Sequence, residues 1–343
     1  MKNIPLFAFL VILFLYTPLP GIADTGAEAQ DTPEEPVSGG YVWSLAYKNG
    51  VLWGNSRELV YHHAGSGDLK SRLDWELKPL VYFGMVLGVQ SRERKTQGGF
   101  FSDIGLSTGF PLNSGTLEDR DWLNTEPGVL THFSSHPSST ENALLLDYRL
   151  GLSLPAGYHS LFNLFLFFSW NHFRWTARDG YSQYPSELAA PYSPWNPDIT
   201  KDYGSFRGKR VIRYTQDWMA AGLGLGLDFP LGKGLESGVS LLASPLVLVL
   251  DKDEHFLNKD TVFRDYLWGG VFLDASFFFA FSLSPKAWLL LKGSYRVITG
   301  SRGSTYVWQP ADVFYGSSAD TAGANISYAS AELMFEWTFR DGP

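Results

Sequence analysis

The sequence contains no cysteine among its 343 residues. That absence excludes a disulfide framework and a lipid anchor carried on a thiol. After the N-terminal segment there is no run of about 20 apolar residues, which excludes membrane-spanning helices. Positive charge is scarce, because 27 Lys and Arg stand against 35 Asp and Glu, and the net charge of −8 offers no surface for nucleic acid.

The N-terminus has the pattern of a secretory signal peptide. Lys2 provides a short positive region, residues 4–16 form an apolar core, and small residues end at Ala23, so we expect a signal peptide at residues 1–23. Residues 24–39 are acidic and contain proline, and we expect them to form a flexible segment. Residues 40–343 contain no stretch that resembles a linker, so we predict that they form one domain.

Apolar residues recur at every second position over long stretches of this domain. The even positions of residues 144–154 and the odd positions of residues 271–283 are apolar throughout, and the odd positions of residues 73–89 are nearly so. We expect each of these sets to form one continuous lipid-facing side, opposite a side of small or polar residues. A secreted β-sandwich also alternates, but its strands are usually shorter, at about 5–6 residues.

The alternating stretches and the turns between them predict ten strands. The predicted strands are residues 41–61, 71–92, 99–111, 142–154, 161–176, 209–230, 235–250, 266–283, 287–299 and 325–339. An even number of strands, joined alternately by short and long connections, is typical of bacterial outer-membrane barrels. We therefore predict an all-β fold, a ten-stranded antiparallel transmembrane β-barrel with long extracellular loops. Six tryptophans near predicted strand ends are candidates for interfacial aromatic girdles. They are Trp43, Trp53, Trp75, Trp175, Trp218 and Trp337.

Two short acidic motifs are candidates for catalysis. Asp253 and His255 have i, i+2 spacing, as do Asp119 and Asp121, so each pair shares one side of an extended chain. A carboxylate beside an imidazole fixes its tautomer and raises its pKa, which suits a general base, and two close carboxylates share a proton. The topology places both pairs at the extracellular rim. Each pair could equally be a solvated strand end. No Ser or Cys motif accompanies His255, which favours water as the nucleophile and peptide hydrolysis without a metal.

These motifs and several others resemble those of the omptins, the outer-membrane aspartyl-type proteases of Gram-negative bacteria. The matching stretches, in chain order, are Arg57-Glu58-Leu59-Val60-Tyr61, Leu73-Asp74-Trp75, Asp119-Arg120-Asp121-Trp122, His136-Pro137, Trp175-Thr176-Ala177-Arg178-Asp179-Gly180 and Asp253-Glu254-His255. The resemblance covers the chain from about residue 40 to Phe339. It implies an outer-membrane location, with the active site facing the cell exterior.

The resemblance also implies a role for each site residue. Asp119 and Asp121 would hold the water, and Asp253 with His255 would form the His-Asp couple. Glu58 and Asp251 match acidic residues of the family's P1 pocket, which takes the Arg or Lys before the cleaved bond, and charge-assisted hydrogen bonds suit such a pocket. His132 stands where some members have an acid that shapes P1′ preference, so a basic P1′ residue should matter less here.

The family's binding site for lipopolysaccharide is altered in this sequence. The family's Tyr-x-Glu-x-Arg run for this lipid appears here as Phe168, Trp170 and His172, although Arg210 remains available to a phosphate. We therefore expect no cofactor and do not assume the family's dependence on lipopolysaccharide.

The sequence thus favours a surface endopeptidase that cleaves peptides or proteins after basic residues. An alternative is a catalytically inactive barrel that acts as an adhesin or a pore. A lipid-modifying hydrolase is a third possibility, but it normally needs a Ser or equivalent nucleophile near His255. A metal site at His62 and His63 is a further alternative to a solvated turn.

Overall fold

The computed structural model describes residues 40–91, 98–110, 112–124, 126, 128–157 and 160–340. The predicted signal peptide and the acidic segment lie outside the described residues. Within them, no helix is long and apolar enough to cross a membrane.

The described chain forms one antiparallel sheet of thirteen strands. The strands are β1 (Tyr41–Tyr61), β2 (Leu69–Ser91), β3 (Gly99–Gly109), β4 (Leu112–Asp121), β5 (His132–Pro155), β6 (Leu161–Arg178), β7 (Tyr181–Gln183), β8 (Arg210–Gly232), β9 (Leu235–His255), β10 (Thr261–Trp268), β11 (Val271–Ser284), β12 (Ala287–Trp308) and β13 (Phe314–Arg340). β1 pairs with both β2 and β13, so the sheet closes into a barrel.

The predicted all-β antiparallel barrel is confirmed, but the number of strands is not ten. β3 and β4 follow one another along the same wall position, since both pair with β2 and with β5. β10 and β11 share another position between β9 and β12. The short β7 is added beside β5. Ten wall positions therefore carry thirteen strands.

Much of what the sequence predicted as long outer loops is strand. β9 continues to His255, and β12 and β13 occupy most of residues 300–324. Polar composition suggested loops there, but the barrel wall continues beyond the membrane into water, where polar side chains suit a paired strand. As a consequence, Asp119, Asp121, Asp253 and His255 lie on strands.

A band of exposed apolar side chains marks the membrane-spanning part of the wall. It includes Tyr47, Met85, Leu106, Leu152, Leu164, Leu225, Leu241, Phe277, Leu291 and Leu333. On the outer side the band ends near the levels of Trp53, Phe110 and Leu248. Above that edge, the strands form an extracellular part that carries all of the candidate site residues.

The two faces of β2 exchange at the outer edge of this band. Leu73, Trp75 and Leu77 are buried in the lumen, whereas Val81 and Met85 are exposed to lipid. Between them, the register with β1 shifts so that two residues, 78 and 79, stand opposite one. Such a bulge turns every following side chain to the other side. The prediction of one lipid-facing side over residues 73–89 is therefore wrong.

β9 contains a second bulge, which turns two candidate site residues inward. Ser244 and Pro245 stand opposite the single residue Gly222. The Ser244 hydroxyl accepts a hydrogen bond from the backbone N–H of residue 246 (2.8 Å). A side chain at Gly222 would collide with the backbone oxygen of residue 243. Beyond the bulge, Asp251 and Asp253 are 5% and 3% exposed.

Three of the six tryptophans predicted for the girdles lie inside the barrel instead. Trp75, Trp175 and Trp218 are fully buried, whereas Trp43, Trp53 and Trp337 are exposed as predicted. Trp75 stacks on Tyr214 (centroids 5.4 Å apart) and on Trp175 (6.0 Å), and Trp175 stacks on Phe173 (5.4 Å). We call Trp75, Phe173, Trp175 and Tyr214 the aromatic layer. It lies directly below the extracellular mouth.

The lumen below the aromatic layer is polar, and its buried charges pair with one another. Arg296 donates to Asp274 Oδ2 (2.8 Å), to Asp147 Oδ1 (3.1 Å) and to Ser169 Oγ (2.9 Å). Arg296, Asp274 and Asp147 help to line a cavity of about 560 Å³ in the membrane-spanning part. A paired guanidinium with several acceptors tolerates burial that an isolated charge would not.

We predict that Trp75→Ala destabilises the barrel much more than Trp53→Ala. Trp75 is fully buried, whereas Trp53 is 45% exposed. Loss of a buried tryptophan costs about 3–5 kcal/mol in transfer and cavity energy. The midpoint of heat-induced loss of the fast-migrating folded form on gels measures the difference. Equal shifts for the two variants would contradict the placement of Trp75 in a packed layer.

Candidate active site

The first pair of candidate residues lies at the outer end of β9. Asp253 and His255 face the lumen side, and a hydrogen bond joins His255 Nε2 to Asp253 Oδ2. The carboxylate accepts, so Nε2 carries the proton and Nδ1 is the free basic nitrogen of the neutral ring. The His255 ring packs edge-on against Phe263 of β10, with centroids 5.3 Å apart. These contacts fix both the tautomer and the orientation of the imidazole.

The second pair lies at the outer end of β4. Asp119 and Asp121 share one face of the strand, and β4 is held between β2 and β5. The Ser71 hydroxyl donates to Asp119 Oδ1 (3.4 Å). Burial, and after it the charge of Asp121, raises the pKa of Asp119 well above its usual value. Burial also raises the pKa of Asp121. Two such carboxyls retain a shared proton and can hold a water between them.

The two pairs act on each other across the mouth of the barrel. In the wall, β8, β6 and β5 separate β9 from β4, so the pairs stand on facing sides. Burial lowers the pKa of His255, but the charges of Asp253, Asp119 and Asp121 outweigh it, and the pKa is raised overall. The sequence predicted that these four residues would meet, and the structure brings them together.

A cluster of buried carboxylates lies beside the His-Asp pair. Glu58 of β1 is 3% exposed and Asp251 of β9 is 5% exposed. Tyr214 donates to Asp251 Oδ2 (2.8 Å), and Gln216 Nε2 donates to the Tyr214 hydroxyl (2.6 Å). Burial, followed by the charges of nearby carboxylates, raises the pKa of both Glu58 and Asp251 well above the usual value. Such a cluster favours a cationic ligand.

His132 lies next to the Asp pair but makes no ion pair among the described residues. It stands opposite Asp121 in the register of β5 and β4. Its ring contacts those of Tyr184 (4.9 Å) and Tyr192 (4.8 Å), and a hydrogen bond joins its Nδ1 to Thr131 Oγ1 (3.0 Å). Burial lowers its pKa, so the side chain is neutral at neutral pH.

Three site residues were missed from the sequence. The ring of Tyr184 contacts that of His132 beside the Asp pair (4.9 Å), and its pKa is raised by burial and then by Asp119 and Asp121. Tyr214 binds Asp251, as described above. Asp265 lies opposite Asp251 in the register of β10 and β9. The sequence predicts a connection over residues 251–265, whereas the structure pairs Asp265 with Asp251 across a hairpin. No sequence pattern indicates Tyr184.

The residues that correspond to the lipid-binding run lie apart from the mouth on β6. Trp170 Nε1 donates to Asp217 Oδ1, and His172 Nδ1 is bonded to the same oxygen, each at 2.9 Å. Arg210 stacks on the ring of Phe256 (4.3 Å). Trp170 and His172 are therefore engaged with Asp217 in this arrangement.

A cavity of about 260 Å³ adjoins His255. The turn between β9 and β10 forms one wall, and residues 310–312, between β12 and β13, form the other. A ligand that reaches His255 can therefore extend sideways along the mouth.

Comparison with known proteins identifies the family of this chain. The sequence model of the Omptin family matches residues 41–339. The chain belongs to the omptin family. The plasminogen activator of Yersinia pestis is 25% identical over 296 residues, which cover 82% of this omptin and 83% of that protein. Protease 7 of Escherichia coli O157:H7 is 26% identical over 292 residues (80% and 83%).

The fold of this omptin also matches a solved structure. The crystal structure of the outer membrane protease OmpT from Escherichia coli has a TM-score of 0.77 and 20% identity, and the match covers 90% of this omptin and 99% of that chain. Together, the family, its relatives and the fold show that this omptin is an outer-membrane β-barrel protease of the kind found in Gram-negative bacteria. Its substrates are peptides or proteins.

We predict opposite pKa shifts for two histidines of the mouth. The pKa of His255 should lie above that of an ordinary histidine, and that of His132 below it. Asp253→Asn removes the charge that stabilises the imidazolium, so it should lower the pKa of His255 and leave His132 unchanged. NMR titration of labelled histidines in detergent measures both. A His255 that is unaffected by Asp253→Asn would contradict the pairing.

Proposed function

We propose that this omptin is an aspartyl-type endopeptidase that cleaves after Arg or Lys, using a water held by Asp119 and Asp121 and activated by His255. One observation carries the proposal. The two couples face each other across the extracellular mouth, and each acts on the charge of the other. The gap between them is open to the exterior, where a peptide can enter.

In the proposed reaction, water attacks the peptide carbonyl. Neutral His255 takes one proton from the water through Nδ1, while Asp253 stabilises the resulting imidazolium. The oxygen of the water bonds to the carbonyl carbon, and the protonated carboxyl of the Asp pair donates to the oxyanion. His255 then gives its proton to the amide nitrogen as the C–N bond breaks. The products are a carboxylic acid and an amine, and the histidine is neutral again.

The proposed P1 pocket contains Glu58 and Asp251. Glu58 Oε2 and Asp251 Oδ1 are buried and have no hydrogen-bond partner among the described residues. An Arg or Lys side chain would supply donors and neutralise the charge. A neutral side chain would leave these carboxylates desolvated and unpaired, which costs several kcal/mol. The pocket therefore selects a basic residue.

A passive pore is less compatible with the lumen. The aromatic layer crosses it, and below that layer Arg296 bridges Asp274 of β11 and Asp147 of β5. A continuous channel would need these contacts to be broken. Since Trp170 and His172 are bound to Asp217, we further propose that cleavage does not require lipopolysaccharide.

We predict that His255→Ala and Asp119→Ala each lower kcat by roughly 10²–10⁴-fold, because each removes a proton-transfer group. A fluorogenic peptide with Arg at P1 measures turnover, and assays with and without lipopolysaccharide test the lipid proposal. Folded barrels are verified by heat-modifiable gel mobility.

The matched controls are His63→Ala and Asp68→Ala, which change exposed residues of the β1–β2 connection. Both should retain full turnover. Wild-type turnover in His255→Ala or Asp119→Ala would contradict the catalytic assignment. Activity only with added lipopolysaccharide would refute the lipid proposal.

We predict that a peptide library is cut only after Arg or Lys, and that Glu58→Gln combined with Asp251→Asn relaxes this preference. Neutral amides remove the charge but preserve shape, so the double variant tests charge alone. At P1′, neutral His132 should impose no strict requirement for a basic residue. Mass spectrometry of the products decides. Comparable cleavage after Leu or Phe by the wild type argues against the pocket, and a strict need for Lys at P1′ argues against the role of His132.

A further inference from the structure

Asp265 is a buried carboxylate that no step of the proposed reaction uses. It lies on β10 directly opposite Asp251 of β9 and is 4% exposed. Directly opposed residues of an antiparallel pair project from the same face of the sheet. The bulge at Pro245 turns Asp251 into the lumen. Asp265, which is paired with Asp251, therefore faces the lumen as well.

Unpaired oxygens show that this carboxylate belongs to the same cluster as Glu58 and Asp251. Asp265 Oδ1, Glu58 Oε2 and Asp251 Oδ1 are all buried and lack a hydrogen-bond partner among the described residues. Buried acceptors without donors are costly and rare in native structures. A guanidinium has five N–H donors and a positive charge, so one side chain can serve several of these oxygens at once.

The electrostatic surroundings of Asp265 come from four neighbouring strands. The carboxylates that act with it are Glu58 on β1 and Asp251 and Asp253 on β9, with Tyr214 on β8 and Thr305 on β12. Burial, opposed by a hydrogen bond from Thr305 and reinforced by Asp253, raises the pKa of Asp265 to about 7. Asp265 in turn raises the pKa of both Glu58 and Asp251.

We propose that Asp265 is a third carboxylate of the P1 pocket, which loses its proton as a cationic side chain enters and so makes selection for that cation dependent on pH. This inference rests on the proposed function. The proton passes to solvent, and the pocket gains one negative charge beside the bound guanidinium or ammonium. Below about pH 7 the side chain is largely neutral and the preference for a cation is weaker, and above it the preference is stronger.

The test compares two peptides that differ only at P1, one with arginine and one with citrulline, its uncharged analogue. The ratio of their kcat/KM values cancels the titration of the catalytic groups, because both peptides use the same groups. For the wild type, the ratio should rise roughly tenfold between pH 6 and pH 8, which is the gain expected from one added charged hydrogen bond. For Asp265→Asn, it should be about tenfold lower than the wild type at pH 8 and should rise much less between the two pH values.

Asp198→Asn is the matched control, since Asp198 is exposed in the connection between β7 and β8. It should reproduce the wild-type ratio at both pH values. Asp265→Glu preserves the charge and should retain the pH dependence, which separates loss of charge from loss of shape.

A second measurement does not depend on turnover, and its first half does not use Asp265→Asn. Binding of the arginine peptide to His255→Ala, followed by calorimetry at pH 7 in two buffers with different ionisation enthalpies, should reveal net proton release. Adding Asp265→Asn to this variant should reduce the release.

The outcomes separate the inference from the function on which it rests. A wild type that prefers arginine to citrulline, but with a ratio that does not change with pH, overturns the role of Asp265. So does an Asp265→Asn variant that matches the wild type. A wild type with no preference for arginine overturns the proposed P1 specificity itself.

Discussion

A β-strand alternates its side chains with a period of two, so one extra residue exchanges the two faces of everything that follows. In this barrel the exchange occurs at the outer edge of the lipid. Below it, Val239, Leu241 and Ala243 of β9 face lipid; above it, Asp251 and Asp253 face the lumen. The bulge in β2 does the same for Trp75. In the membrane the odd-numbered side chains of these two strands must face lipid, whereas at the mouth they must face the lumen. Trp75 in the aromatic layer, and Asp251 and Asp253 in the acidic mouth, owe their inward positions to these two bulges.

The reversal gathers charges that repel one another. Asp265 raises the pKa of Glu58 and of Asp251, and the Asp pair faces further carboxylates across the mouth. Such an arrangement opposes folding, and it persists because the surrounding wall is made of long paired strands, not of loops. β8 and β9 are paired along nearly their whole length, up to His255. Side chains on such a scaffold hold their geometry better than side chains on loops.

The sequence predicted the barrel and the catalytic groups for different reasons. The alternation of apolar and polar residues is a direct consequence of lipid on one side of the wall. The i, i+2 spacing of Asp119 and Asp121 can be read from the sequence alone. The reversal of phase was not visible, because Leu73 and Trp75 are apolar whether they face lipid or a packed lumen. Asp265 was missed because its role depends on its partner across the hairpin. Tyr184 was missed because it follows the short β7, whose pairing with β5 brings it next to His132. The roles of Glu58 and His132 came from the family resemblance and not from spacing.

The position of the two couples on opposite walls has a consequence for the shape of what can be cut. In the proposed reaction the scissile bond lies between β4 and β9, inside the ring of strands. A single extended strand or a slack surface loop enters such a ring more easily than an intact globular domain. For the proposed reaction, a target's local unfolding would therefore govern the rate of cleavage as strongly as its sequence, and stable proteins would be trimmed at a few flexible points without being degraded.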